Sequence, residues 1–118
     1  MNRQIATPKA PGAIGPYSQA IEASGKTVYV SGQIPIDPAT GEFAGTDIVT
    51  QTRQSLTNVK NILEAAGYTL DDVVKTTVLL SDIADFGPMN EVYGTFFTGG
   101  GRAGACFLGA ALPNGAVV

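Results

Sequence analysis

The sequence predicts an α+β domain in which two helices cover one face of a mixed β-sheet. Two stretches have helical periodicity, 46–66 and a second around Phe86 to Phe96, and short segments rich in β-branched residues alternate with them. With 118 residues the chain is long enough for one hydrophobic core, so we expect a single domain over residues 1–118. The predicted order of elements is β-β-β-α-β-α-β-β.

The first part of the chain contains short strands and turns. Residues 1–16 are interrupted by three prolines, which predicts an irregular arm. Residues 17–23 and 27–34 have the composition of strands, and the glycine-containing turn between them predicts a hairpin. A further turn is predicted at 37–41, where proline comes early and glycine late.

The two helices have recognisable ends and apolar faces. Asp47 lies where a capping residue is expected, and Gly67 follows the last residue of the first helical pattern. The inward stripe of the first helix is predicted to be Ile48, Thr52, Ser55, Val59, Ile62 and Ala66, with Val49, Leu56 and Leu63 beside it. The second helix, with Pro88 in its first turn, is predicted to place Phe86, Met89, Tyr93 and Phe96 inward.

Three further strands are predicted in the second half, at 73–80, at 105–111 and beginning at 116–118. Helices on one side leave the other face of the sheet to be covered by something else. Only 14% of the residues are charged and 44% are hydrophobic, a low share of charge for a soluble domain. Both observations favour a homo-oligomer.

Charge and composition exclude several functions. The net charge is −3, and the seven basic residues are scattered without a run, which argues against a nucleic-acid partner. Histidine is absent and Cys106 is the single cysteine, so we expect no metal and no disulfide. No apolar run reaches the ~18–20 residues that span a bilayer, so we expect a cytoplasmic protein with no membrane partner.

Four blocks of sequence follow one another in a recognisable order. They are 10–20 (APGAIGPYSQA), 31–35 (SGQIP), 51–59 (QTRQSLTNV) and 89–93 (MNEVY), and 111–113 (ALP) follows near the end. Together they resemble the Rid (YjgF/RidA) family, also labelled endoribonuclease L-PSP. The resemblance spans roughly residues 1–98, and its separate blocks make a chance match improbable.

The resemblance implies a chorismate-mutase-like fold that assembles as a trimeric barrel, with three clefts between subunits. It also implies hydrolysis of 2-iminobutanoate and 2-iminopropanoate to 2-keto acids and ammonia, without any cofactor. An arginine holds the substrate carboxylate in such proteins, the geometry for which guanidinium is suited. The residues implied as catalytic are Arg102 and Tyr17, and those implied as substrate-binding are Ser31, Gly32, Asn90, Ala105 and Cys106.

The C-terminal part departs from the family pattern. The family arginine stands eight residues before a Leu-Pro pair, which here is the position of Gly104, whereas Arg102 lies two residues earlier. On a strand this shift keeps the same face, roughly 6–7 Å along, so Arg102 is either the carboxylate clamp or an exposed loop charge. The sequence stops at Val118, before the family's terminal-strand glutamate. Either the chain is a divergent or engineered member, or the sequence of 99–118 is imperfect and short.

Other interpretations remain open at this point. The trimer clefts are consistent with a non-catalytic ligand-binding or chaperone-like protein, and a third alternative is an endoribonuclease that inhibits translation. Without the resemblance, Tyr17 would be a packing residue and Asn90 a local helix contact. Cys106 is better interpreted as a small buried apolar residue than as a nucleophile, because no histidine is present to activate it.

Overall fold

The computed structural model describes residues 3–12, 18–97, 103–108, 112 and 115–118, with the backbone alone for 103–108. Two 3₁₀ turns, Leu70–Asp72 and Ile83–Asp85, flank the fifth strand. The helices and strands are β1 (Arg3–Ile5), β2 (Ala20–Glu22), β3 (Ile36–Asp37), β4 (Glu42–Phe43), α1 (Ile48–Ala65), β5 (Lys75–Leu80), α2 (Phe86–Phe96) and β6 (Ala103–Leu108). The α+β class is confirmed.

The strands of the described residues form three two-stranded sheets, not the one mixed sheet that was predicted. β1 and β2 are antiparallel, as are β3 and β4, whereas β5 and β6 are parallel. The parallel pair requires a crossover, and α2 provides it. This pair and the two long helices form the centre of the molecule.

The predicted hairpin between 17–23 and 27–34 is wrong. Residues 27–34 form no strand, and the side chain of Tyr29 is 91% exposed. β2 instead pairs with Arg3–Ile5, from the arm that was predicted to be irregular. A strand depends on a partner as much as on its own composition, and here the N-terminal arm supplies that partner. The side chain of Gln19 fastens the arm further through hydrogen bonds to the backbone of Thr7, Ala10 and Pro11.

The predicted turn at 37–41 is confirmed and joins β3 to β4. The Asp37 carboxylate accepts a hydrogen bond from the Ala39 N–H at 2.9 Å, and the Asp37 carbonyl accepts one from the Gly41 N–H at 2.8 Å. Gly41 has a φ of +73°, a conformation that side-chain-bearing residues rarely adopt. The position of glycine in this turn is therefore required by the backbone.

Both ends of α1 are where the sequence predicts them, to within two residues. At the start, the Thr50 N–H donates to Asp47 Oδ2 at 2.9 Å. This hydrogen bond to the ionised form lowers the pKa of Asp47 below its ordinary value of 3.8. At the end, Gly67 has a φ of +86°, and the Tyr68 N–H donates to the Leu63 carbonyl at 2.9 Å. This is the Schellman arrangement.

The core lies between the helices and β5. Leu80, Met89, Tyr93 and Phe97 are its fully buried members, and the rings of the two aromatic residues are 4.7 Å apart. Along β5 the exposure alternates, so one face of the strand meets the helices and the other stays open. The predicted one-sided helix cover is confirmed for this strand.

Several side chains predicted to face inward do not. Phe86 is 42% exposed, because α2 begins there and the core contacts start one turn later, at Met89. On α1, Val49 and Ile62 are also among the exposed hydrophobic residues. The buried face of α1 is shifted around the helix and contains Gln51, Thr52 and Leu63.

Two strand predictions near the end of the sequence are also corrected. The strand predicted at 105–111 begins two residues earlier, at Ala103 opposite Lys75, and is described to Leu108, whereas residues 109–111 lie outside the described residues. Ala116–Val118 forms no strand. A single backbone hydrogen bond, from the Ser81 N–H to the Val117 carbonyl at 3.3 Å, joins this segment to the end of β5. One bond is too few for a ladder, although Ala116 is buried.

Candidate functional site

Ser31 and Gly32 lie in the irregular segment that leads into β3. Both residues are exposed. The Ser31 carbonyl accepts a hydrogen bond from Gln33 Nε2 at 3.3 Å. The end of this segment is buried at Pro35, whose carbonyl accepts a hydrogen bond from the Ala44 N–H at 3.1 Å. The segment is therefore anchored at its C-terminal end and open to ligands at its start.

The anchor comes from α1. Asn58 Nδ2 donates to the Ile34 carbonyl at 3.3 Å and to the Ile36 carbonyl at 2.9 Å. The Oδ1 atom of the same amide accepts a hydrogen bond from Gln54 Nε2 at 2.8 Å, one helical turn earlier. The sequence blocks 31–35 and 51–59 are thus in direct contact, a link that the resemblance alone did not reveal.

The remaining predicted site residues are distributed over other elements. Asn90 lies in the first half of α2 and is half-buried, and among the described residues no hydrogen bond joins it to Ser31 or Gly32. Ala105 and Cys106 lie on β6, opposite Thr77 and Val78 of β5. Tyr17 and Arg102 lie outside the described residues, so their predicted roles remain predictions.

Gln51 is a polar residue whose position the sequence did not predict. Its side chain is 2% exposed. Nε2 donates to the Gly45 carbonyl at 3.0 Å, and Oε1 accepts from the Val117 N–H at 2.8 Å. The amide therefore joins the start of α1 to the loop immediately before it and to the distant C-terminal segment. Its inclusion in the matched block 51–59 is the one sequence signal that singled it out.

Two neighbouring hydroxyls on the inner face of α1 have no hydrogen-bond partner in the described part of the chain. They are Thr52 Oγ1 and Ser55 Oγ, and both atoms are buried. A buried hydroxyl without a partner is costly, by roughly 1–3 kcal/mol.

A groove of about 500 Å³ lies between α1 and the end of α2. It is lined by Arg53, Lys60, Leu70, Thr95 and Phe96, which include none of the predicted site residues. Both cations are exposed, and solvated surface charges of this kind bind anions weakly. We therefore do not place the chemistry there.

Metal and membrane features can be assessed where the structure describes the chain. Among residues 3–12, 18–97 and the short segments beyond, no three histidine, cysteine, aspartate or glutamate side chains are close enough to hold a metal ion. No described helix combines the length and apolar character needed to cross a bilayer. Asp72 and Asp82 cap the 3₁₀ turns, since their carboxylates accept hydrogen bonds from the Thr69 N–H and the Ala84 N–H.

Comparison with known proteins defines the class. Residues 7–118 match the family described as Endoribonuclease L-PSP. The 2-iminobutanoate/2-iminopropanoate deaminase of Mus musculus is 48% identical over 118 residues, which is 100% of this chain and 87% of the mouse protein. The human protein of the same name is 48% identical over 115 residues, covering 98% of this chain and 83% of that one. The chain belongs to the endoribonuclease L-PSP family, also called RidA/YjgF.

Solved structures give the same result. The YjgF gene product of E. coli has a TM-score of 0.74 and 45% identity, covering 98% of this chain and 91% of that one. E. coli TdcF, solved with bound serine, has a TM-score of 0.75 and 42% identity, again covering 98% of this chain and 91% of its own. The similarity to these solved structures therefore supports the same family as the sequence comparisons.

Proposed function

We propose that this protein hydrolyses 2-imino acids such as 2-iminobutanoate and 2-iminopropanoate to 2-keto acids and ammonia. The main support is similarity over the full 118 residues to proteins named as deaminases of these compounds. The serine bound to E. coli TdcF is a small 2-amino acid, comparable in size and in its carboxylate to 2-iminopropanoate. Serine binding by that relative is consistent with a cleft that accepts such molecules.

The reaction requires little from the protein. Water adds across the C=N bond, with its oxygen on C2 and a proton on the nitrogen. In the resulting carbinolamine the proton of the C2 hydroxyl is transferred to the nitrogen, and the C–N bond breaks to release ammonia and leave the 2-keto acid. Because the imine is already electrophilic, binding and orientation are sufficient for catalysis. In this proposal Arg102 holds the carboxylate and Tyr17 lines the cleft.

The polar groups that surround the bound substrate come from three further parts of the chain. The Ser31 hydroxyl and the N–H of Gly32 lie in the exposed segment before β3. Asn90 on α2 contributes its carboxamide, and Ala105 and Cys106 contribute the backbone of β6. These groups complete the proposed cleft.

The cleft is proposed to lie between the subunits of a homotrimer. The outward face of β5 includes Leu79, which is 46% exposed, and Val28 and Tyr29 of the segment before β3 are exposed as well. Burial of such side chains between subunits would remove apolar area from water. Native mass spectrometry at micromolar concentration should give a trimer, and a stable monomer would contradict this proposal.

The activity test uses an imine generated in situ by an L-amino acid oxidase, with semicarbazide present to trap the imine that escapes hydrolysis. The wild-type protein should decrease semicarbazone formation and accelerate release of the 2-keto acid. Arg102→Ala should lower kcat/KM at least about 30-fold, because a carboxylate in a partly desolvated cleft without its cation loses ~2–5 kcal/mol. Arg102→Lys is the matched control that retains the charge.

Two results would lead to a different conclusion. If the wild-type protein leaves the rate of keto acid formation unchanged but still binds 2-ketobutyrate, it is a ligand-binding protein and not a deaminase. If Arg102→Ala has the activity of the wild type, Arg102 is a loop residue. The ribonuclease alternative has less support, since the net charge is −3 and the basic residues form no run.

A further inference from the structure

The side-chain amide of Asn58 makes three hydrogen bonds, and this is unusual for a residue in the middle of a helix. Both N–H groups of its Nδ2 are used, one for the Ile34 carbonyl and one for the Ile36 carbonyl. The orientation of the amide is fixed in turn by Gln54, whose Nε2 donates to Asn58 Oδ1 at 2.8 Å. An amide held at both of its ends has little freedom to rotate.

The two carbonyls that Asn58 binds flank a tight turn. The Ile36 N–H donates to the Ile34 carbonyl at 2.8 Å, which closes a three-residue γ-turn with Pro35 at its centre. The side chain of Pro35 is fully buried, and its ring restricts φ. The turn therefore has one conformation, and Asn58 fixes its position relative to α1.

This turn determines the direction in which the preceding residues leave the domain. Ser31 and Gly32 are exposed, and within the described residues no α-helix donates a hydrogen bond to either of them. Their position consequently depends on the anchored end of the segment at Ile34 and Ile36, two to five residues away.

We propose that Asn58 is a positioning residue for the substrate-binding segment Ser31–Gly32, with Gln54 orienting its amide. This inference rests on the proposed deaminase function, although Asn58 itself touches no substrate. Binding groups must be held within about 0.5 Å of their productive positions, and removal of a supporting group lowers activity by about 10- to 100-fold. Asn58 provides that support from a rigid helix.

The test compares Asn58→Asp with two other variants on α1. Asn58→Asp preserves the shape of the side chain but replaces its Nδ2 donor with a carboxylate oxygen, which then faces the carbonyl oxygens of Ile34 and Ile36. It should lower kcat/KM for the in situ imine about 10- to 100-fold, mainly by raising KM, and should weaken 2-ketobutyrate binding in parallel. Gln54→Leu leaves Nδ2 in place without its orienting partner, so a decrease of about 3-fold is expected.

Leu63→Ala is the control for stability alone. Leu63 is buried on the same helix, and in the described part of the chain it makes no hydrogen bond to the segment before β3. This variant should therefore unfold more easily while keeping kcat/KM within about twofold. Amide NMR spectra should show shifted Ser31 and Gly32 signals in Asn58→Asp and unshifted ones in Leu63→Ala. If Asn58 contributed to stability alone, Asn58→Asp would change neither KM nor the Ser31 and Gly32 signals more than Leu63→Ala does.

The outcomes separate the two proposals. If the wild-type protein is active and both Asn58→Asp and Gln54→Leu have the KM of Leu63→Ala, the positioning role is refuted and the deaminase proposal stands. If the wild-type protein neither hydrolyses the imine nor binds 2-ketobutyrate, the proposed function is refuted and the positioning role with it. If Asn58→Asp does not fold, Gln54→Leu alone decides, since an unchanged KM in that variant refutes the role.

Discussion

Replacement of Gln51 by leucine should destabilise the protein strongly. The substitution removes a buried amide and leaves the Gly45 carbonyl and the Val117 N–H without the partners they have at 3.0 and 2.8 Å. Each buried group left unsatisfied costs ~1–3 kcal/mol, and the added apolar side chain offsets part of this. We expect a net loss of about 2–4 kcal/mol in the free energy of unfolding. With a slope of ~2 kcal/mol per molar urea, the midpoint should fall by about 1–2 M.

Two control variants test the reasoning behind this value. Thr57→Ala on the same helix removes an exposed side-chain hydrogen bond to the Arg53 carbonyl and should change the midpoint little. Gln51→Glu should be closest to the wild type near pH 4, because a protonated carboxyl can donate to Gly45 and accept from Val117. Burial raises the pKa of the introduced carboxyl, so its stability relative to the wild type should fall as pH rises towards 7. A urea midpoint for Gln51→Leu equal to that of the wild type would refute the stabilising role of the two Gln51 hydrogen bonds.

Three other side chains allow sharp measurements. Hydrogen bonding from Thr50 lowers the pKa of Asp47 below 3.8. The stability advantage of the wild type over Asp47→Ala should therefore be constant above pH 4 and disappear as pH falls through the lowered pKa. Urea unfolding of both proteins at several pH values would measure this difference. Thr52→Val removes a buried hydroxyl for which the described residues offer no hydrogen-bond partner, and it should leave thermal stability unchanged or raise it. A clear decrease would mean that the hydroxyl is hydrogen-bonded. Tyr93→Phe removes the 2.6 Å hydrogen bond to Thr76 and should cost about 0.5–1.5 kcal/mol, with a double-mutant cycle that includes Thr76→Val reporting the coupling.

The helices were predictable because their signals are local. The Asp47 cap, the glycine at 67 and the apolar spacing between them all lie within one stretch of chain, so each can be interpreted without knowledge of its partners. The strands were less predictable for the opposite reason. Arg3–Ile5 has no strand character of its own and pairs because Ala20–Glu22 lies beside it. Residues 27–34 are rich in β-branched and aromatic side chains but have no such partner among the described residues.

In the candidate site, too, local sequence signals could be interpreted and long-range contacts could not. The family motif identified Ser31, Gly32 and Asn90 as candidates, but it could not indicate that Asn58 anchors the segment to which the first two belong. Nor could it indicate that Gln51 is buried, since its partner Val117 is 66 residues away. A glutamine or asparagine within a helical pattern is ordinarily solvated, and only long-range contacts identify the exceptions.

The order in which strands pair has a consequence for the rate of folding. Ile36 and Phe43 meet across a short turn, whereas Lys75 of β5 meets Ala103 of β6 only after the whole of α2 has been placed between them. Closing the longer loop costs more chain entropy, by ~0.6 kcal/mol for each doubling of length. The parallel pair should therefore form late, after the two helices have docked. Destabilising changes in β5 should then accelerate unfolding more than they slow folding.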